Sequence, residues 1–273
     1  MSKTECKRFH FQGVAKDYNH RYMFTMSTKP YSNPLRHYRQ QYTRHDDEQA
    51  FQVLVEETDL HVTASKNLSL EIAAYVTELR GILKSYITFH PEFVESYSPV
   101  AVPEHAALII KRMAEAASIA NVGPMAAVAG TISQMVCEKF AYQSPELIVE
   151  NGGDVYMLSS KPRIAGLLPD PNSDATIGIK LDDTDFPVGI CASSATIGHS
   201  ISLGKGELVA VRSKNGSLAD ACATALCNML KLPGDVELVT EEAARLQQYG
   251  IEGVFAQCGD KVSVWGKMEL AVV

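Results

Sequence analysis

Asp220 and Thr224 stand four residues apart in SLADACATAL (217–226). On a helix that spacing places a carboxylate and a hydroxyl on one face. Such a pair is a donor set that magnesium takes when water and substrate phosphates complete its shell. Their neighbours Ala219, Ala221, Cys222, Ala223 and Ala225 suit a crowded apolar place, where an unmet carboxylate is costly. The same letters fit a capping box, with Ser217 as N-cap and Asp220 reaching back to the Ser217 amide. Spacing alone leaves cap and metal ligand both open.

Three further stretches carry polar chemistry. In IVENGGDVYM, Asn151, Gly152, Gly153 and Asp154 lie between two strand-like runs. Paired glycines suit a hairpin turn and also let a ligand approach the main chain. Asn151 and Asp154 could meet a ribose, a ring edge or a metal. CASSATIGHS (191–200) brings Ser193, Ser194, Thr196 and His199 together, followed by Gly204-Lys205-Gly206. Without G-x-S-x-G or an identifiable acid partner, this loop suits gripping a polyphosphate better than serine hydrolysis. The glycines around Lys205 are not spaced as a P-loop. In VGPMAAVAG (122–130), Gly123, Ala127 and Gly130 form a narrow face, and the Gly123-Pro124 start offers free N–H groups to an anion.

The elements that must position these groups can be read from periodicity. Residues 1–33 read as a basic extension, and 34–273 as one domain. Strands are expected at 35–42 and 51–65, then three helices: one over LSLEIAAYVTELRGILKSYITF, one starting at Pro103 and one opening at Pro124. After residue 145 short strands follow at 146–150, 154–159, 163–168, 175–181, 188–193 and 207–213, with a helix over 217–231. A helix over EEAARLQQYG and the runs GVFAQC, KVSVW and MELAVV close the chain. Blocks of strands and helices, rather than strict alternation, predict an α+β fold with a mainly antiparallel sheet.

Composition narrows the class. The chain has 273 residues, 46% of them hydrophobic, and no run of about 18 apolar residues that would span a membrane. No secretory signal is visible, and six cysteines without metal-finger spacing read as reduced thiols, so the cytoplasm is expected. Residues 1–45 hold nine Lys or Arg against Glu5 and Asp17, a surplus of seven in a chain of net charge −7. With five tyrosines this segment could suit single-stranded nucleic acid. No nucleic-acid motif accompanies it, so an arm packing on the acidic body or a second subunit is preferred.

VGPMAAVAG, ENGGD, CASSATIGHS and LADACATAL, in that order, resemble the ApbE-like superfamily over roughly residues 35–270, closest to a short cytoplasmic branch. The better-known members are FAD:protein FMN transferases, which use magnesium to move FMN from FAD onto a threonine of an acceptor protein. The resemblance implies a single α+β domain and a flavin nucleotide, FAD, as ligand. It implies magnesium held by Asp220, Thr224 and a main-chain oxygen near Ala127 or Ala129. Gly123, Asn151, Gly152, Gly153, Asp154, Ser193, Ser194, Thr196 and Lys205 become cofactor-binding candidates, and His199 a catalytic one. Transferases follow the histidine with Asp-Pro-x-Thr-Gly, whereas this chain reads Ser200-Ile-Ser-Leu-Gly-Lys205. The expected function is therefore flavin and magnesium binding, with FMN transfer or pyrophosphate cleavage as the enzymatic form. The alternatives are a non-catalytic carrier or sensor and an oligomeric scaffold.

Overall fold

The computed structural model of the chain describes residues 47–167, 177–194 and 208–272. Thr196, His199, Lys205, the strand expected at 35–42 and the basic extension lie outside them.

One antiparallel sheet has the order β1 (Gln49–Val55), β2 (Thr58–Ala64), β3 (Leu147–Asn151), β4 (Asp154–Leu158), β7 (Val188–Ser193), β8 (Leu208–Ser213), β9 (Ile251–Cys258), β10 (Lys261–Gly266). A second, three-stranded antiparallel sheet has the order β11 (Glu269–Val272), β6 (Ile177–Leu181), β5 (Arg163–Leu167). Successive side chains of a strand point to opposite faces, and here the two faces build two cores. Tyr156, Cys191, Val209, Val211, Val254 and Ala256 join the core under the helices. Met157, Val188, Ile190, Leu208, Ala210 and Phe255 meet Ala165, Leu167, Ile179 and Leu181 of the small sheet. The result is three layers: helices, large sheet, small sheet. This is the α+β, mainly antiparallel architecture that the blocks of periodicity predict.

The helices are α1 (Ser69–Phe89), the single turn α2 (Glu92–Glu95), α3 (Leu108–Ala120), α4 (Val128–Phe140), α5 (Gly216–Met229) and α6 (Val236–Leu246). In α1, Ile72, Val76, Leu79 and Leu83 are buried at helical spacing. No described helix alone is long and apolar enough to cross a membrane; α3 and the 124–140 segment reach that length only together, across a 105° bend.

Several boundaries differ from the sequence expectation; α6, for one, begins at Val236 rather than at Glu241. The run 51–65 is two strands, turned at Glu56-Glu57 with Glu56 at φ 53°. Arg80 of α1 reaches back to hold this turn, through Glu56 at 2.6 Å, Glu57, and Thr58 at 2.7 Å. The second helix starts at Leu108, because the Pro103 carbonyl is taken by the Ala106 amide in a tight turn. The third is broken: Pro124–Ala127 forms a 3₁₀ turn, and α geometry begins only at Val128. Gly123, Ala127 and Gly130 therefore do not share one helix face.

A buried ion cluster ties strand β5 to the loops before β1 and β3. Arg163 pairs with Glu48 at 2.9 Å and with Glu146 at 2.8 Å. Burial opposes the charge on Glu146, but hydrogen bonds from Ser159, Ser160 and Arg163 outweigh it and hold its pKa down at about 2. A pKa lowered by folding stabilises the fold above the ordinary value of 4.5, and that contribution is lost as pH falls towards about 2. Acid denaturation curves should therefore steepen in that window, and Glu146→Gln should flatten the steepening.

Helices α4 and α5 cross with their backbones nearly touching. A Cβ added at Gly130 would lie 2.3 Å from the Gly216 carbonyl oxygen and 2.7 Å from Asp220 Cβ. Gly130→Ala should thus cost about 1–3 kcal/mol in chemical denaturation, as overpacking does. Gly81→Ala, on the exposed side of α1 with nothing within 4 Å, should instead gain about 0.5–1 kcal/mol. Equal signs for the two would refute the close crossing.

Candidate functional site

Asp220 meets the start of another helix. The first amides of a helix lack intrahelical partners, and the late onset of α geometry at Val128 leaves those of Ala129 and Gly130 free. The Gly130 N–H donates to Asp220 Oδ2 at 2.8 Å, and the Ala129 amide also donates to this carboxylate. The capping-box expectation is corrected: α5 begins at Gly216, its N-cap is Asn215, and the Asn215 side chain accepts from the Leu218 amide at 3.1 Å. Asp220 caps α4, across the helix crossing.

The favour is returned. Gln134, one turn beyond Gly130 on α4, accepts the Gly216 amide of α5 on its side-chain oxygen at 2.8 Å. Its amide nitrogen donates to Glu138 at 2.9 Å, and Glu138 pairs with Arg112 at 2.7 Å. Thr131 Oγ1 and Ser217 Oγ lie 2.8 Å apart between the two caps. Sequence reasoning missed Asn215 and Gln134. The signal for Gln134 was its place four residues after Gly130, on one helix face.

The NGGD segment is the expected two-residue hairpin. Asn151 pairs with Asp154, and Gly152 and Gly153 take φ of 70° and 113°, a conformation that glycine adopts without strain. The turn is tied to α4 at both ends: Asn151 Nδ2 donates to the Ala129 carbonyl at 3.4 Å, and Ser133 Oγ to the Asp154 carbonyl at 3.1 Å. Asp154 lies on the helix-facing side of β4, buried, and its Oδ1 accepts the Ala192 amide at 3.3 Å. Ser193 and Ser194 are buried at the end of β7. Thr224 is half-buried, one turn along α5 from Asp220. Gly123 sits elsewhere: its missing Cβ admits the Ser96 carbonyl oxygen, 1.9 Å from where that atom would be.

Both aspartates resist ionisation. Burial, with the nearby Glu150 charge, lifts Asp154 to about 7 against the Ala192 amide and Cys191 thiol hydrogen bonds. Burial first, then the Asp154 charge, lifts Asp220 well above the carboxylate range, against the Gly130 and Ala129 amides. No Lys or Arg among the described residues reaches either carboxyl, and no three His, Cys, Asp or Glu among them cluster as a metal site. Two buried acids facing only amide and thiol donors are short of positive charge. A divalent ion with oxygen ligands fits that shortage: Asp220, the Thr224 hydroxyl and the Ala129 carbonyl are donors it accepts.

Comparison with known proteins agrees with the family resemblance. A family model described as AbpE bacteria matches residues 42–257. The UPF0280 protein MJ1526 of Methanocaldococcus jannaschii is 36% identical over 224 residues, 79% of this chain and 90% of that protein. A UPF0280 protein of Archaeoglobus fulgidus is 34% identical over 220 residues, 79% of this chain and 87% of that one. Among solved structures, the flavin transferase ApbE from Vibrio cholerae matches with a TM-score of 0.55 at 11% identity. That match covers 81% of this chain and 97% of that one, and it shows a shared fold.

The Asn215 cap serves the helix alone. Asn215→Ala should cost about 0.5–2 kcal/mol in chemical denaturation, equally with EDTA and with magnesium. A cost that depends on magnesium would place Asn215 in the ion site instead.

Proposed function

The chain belongs to the family described as AbpE bacteria, and from that premise we propose that it binds a flavin nucleotide, FAD, together with magnesium at Asp220. The observation that carries the reading is the buried Asp220 carboxylate, which meets helix amides and no cationic side chain among the described residues. Asp220, Thr224 and the Ala129 carbonyl hold the ion. The ion supplies positive charge to the oxygens of a pyrophosphate. Gly152 and Gly153 let the nucleotide approach the main chain beside Asn151, and Ser193 and Ser194 offer hydroxyls to phosphate. Thr196 and Lys205, outside the described residues, complete that grip.

The reaction class is phosphoryl or nucleotidyl transfer, in which positioning and charge do most of the work. The proposed form is FMN transfer from FAD to an acceptor protein in the cytoplasm. The acceptor hydroxyl forms a phosphoester to the FMN phosphate as the pyrophosphate bond breaks and AMP leaves, with His199 assisting removal of the hydroxyl proton. The V. cholerae protein's description as a flavin transferase supports this form. The run Ser200–Lys205 after His199 favours a second reading, a carrier or sensor that holds flavin without turnover. Recovery of intact FAD after long incubation with magnesium selects that second reading. Residues 34–273 carry the site in either case, and 1–33 form a separable extension.

The test is melting of wild type, Asp220→Asn and Thr224→Val with FAD, with and without magnesium. Asn preserves an acceptor for the Gly130 amide but removes the charge, so the variant should melt no lower than wild type in EDTA. With FAD and a hundredfold excess of magnesium over its dissociation constant, wild type should gain about 2.7 kcal/mol. Asp220→Asn should gain none of it and Thr224→Val only part. Equal gains in all three proteins would leave Asp220 as the cap of α4 alone and refute the magnesium site.

A further inference from the structure

Asp154 and Ser193 fit the ion site better than they fit ribose recognition. Side chains alternate along β4 and β7, and Tyr156 and Cys191 lie in the core under the helices while Met157 and Ile190 lie under the small sheet. Asp154 and Ser193, two residues away along each strand, therefore face the helices, towards α4 and α5. Asp154 is 6% exposed and Asp220 8%. Geometry brings them to one place: Asn151 on the Ala129 carbonyl and Ser133 on the Asp154 carbonyl tie the hairpin to the start of α4 that Asp220 caps, and the Cys191 thiol of β7 meets the Gly216 carbonyl of α5 at 3.6 Å. Ser193 is 4% exposed, and its hydroxyl has no hydrogen-bond partner among the described residues. A buried hydroxyl left unpaired costs free energy, so its presence here points to a ligand.

Resting on the magnesium reading above, we propose that Asp154 is a second carboxylate of the ion site and Ser193 a neutral oxygen beside it. Two carboxylates with one divalent ion are electrically balanced, whereas either alone leaves a charge uncompensated in a buried place. Magnesium commonly takes one or two carboxylates and fills the rest of its shell with water and phosphate oxygens. The Ala192 amide on Oδ1 fixes the Asp154 carboxyl at the mouth of the hairpin. The backbone of the NGGD turn then brings the nucleotide to the ion, and the acid at its end is a ligand of the ion rather than of the sugar.

The test is calorimetric titration of the full chain with magnesium chloride alone. Asp154→Asn should weaken magnesium at least tenfold, and Ser193→Ala several-fold, with melting in EDTA unchanged or raised. An Asp154→Asn protein that binds magnesium as wild type does, while Asp220→Asn does not, overturns this inference and leaves the magnesium site standing. Wild-type binding by both variants overturns the two together. Should Asp154→Asn fail to fold, the wild type labelled with ¹³C at aspartate carboxyls decides. The infrared difference between magnesium and EDTA should show two aspartates changing, and a change in one alone would overturn the assignment.

Discussion

The contact between α4 and α5 at Gly130 and Gly216 is the constraint on which the site depends. A side chain at either position would strike the opposite backbone. At that distance each helix can reach the other's free amides, so Asp220 caps α4 and Gln134 accepts the Gly216 amide of α5 beside the Asn215 cap. Unpaired helix ends in a core are costly, and each helix relieves the other. The crossing therefore sets both the separation of the helices and the direction in which the Asp220 carboxylate points.

Among the described residues, Asp220, Asp154 and the NGGD hairpin are arranged around that crossing. The late start of α4, delayed by the 3₁₀ turn at Pro124, supplies the amides. The NGGD hairpin is held to the same helix start through Asn151 and Ser133. Strand β7 then brings Ser193 alongside. A second buried acid, Asp154, costs desolvation that its bonds from the Ala192 amide and the Cys191 thiol offset only in part, and an Asn would keep an acceptor for the amide without charge. The divalent ion proposed above would balance both charges. Amide donors from α4 ease the charge on Asp220 in the meantime, since a helix N-terminus favours an anion.

What was legible from the sequence was local. Alternation located the strands after residue 145, and Asn-Gly-Gly-Asp announced its own hairpin because glycines there accept positive φ. The Asp220–Thr224 spacing pointed to one helix face, and the four ordered motifs indicated the family. What was not legible came from partners distant in the chain. Glu56-Glu57 is no turn signal, yet Arg80 makes it one. Pro103 and Pro124 suggested helix starts, but the Ala106 turn moved one and the 3₁₀ segment broke the other. The capping-box alternative for Asp220 looked to its own helix, whereas its amide partner, Gly130, lies ninety residues earlier.

The glycine column also bears on how such a chain can drift in evolution. Gly130, Gly216 and Gly189 are stacked from α4 through α5 to β7, and the Cβ absent from Gly189 would lie 3.1 Å from Gly216 Cα. In an ordinary core, a bulkier residue can be rescued by a smaller one opposite. Here the opposite residue is already a glycine and has nothing left to give. Compensation can come only from the side, through Tyr156 or Gln134, whose atoms border the Gly216 slot. Tyr156 also bonds the Lys214 carbonyl, and Gln134 accepts the first amide of α5. The three positions are thus locked to one another, and an innovation in ligand choice would have to arise around the column, in the loops and side chains at its rim.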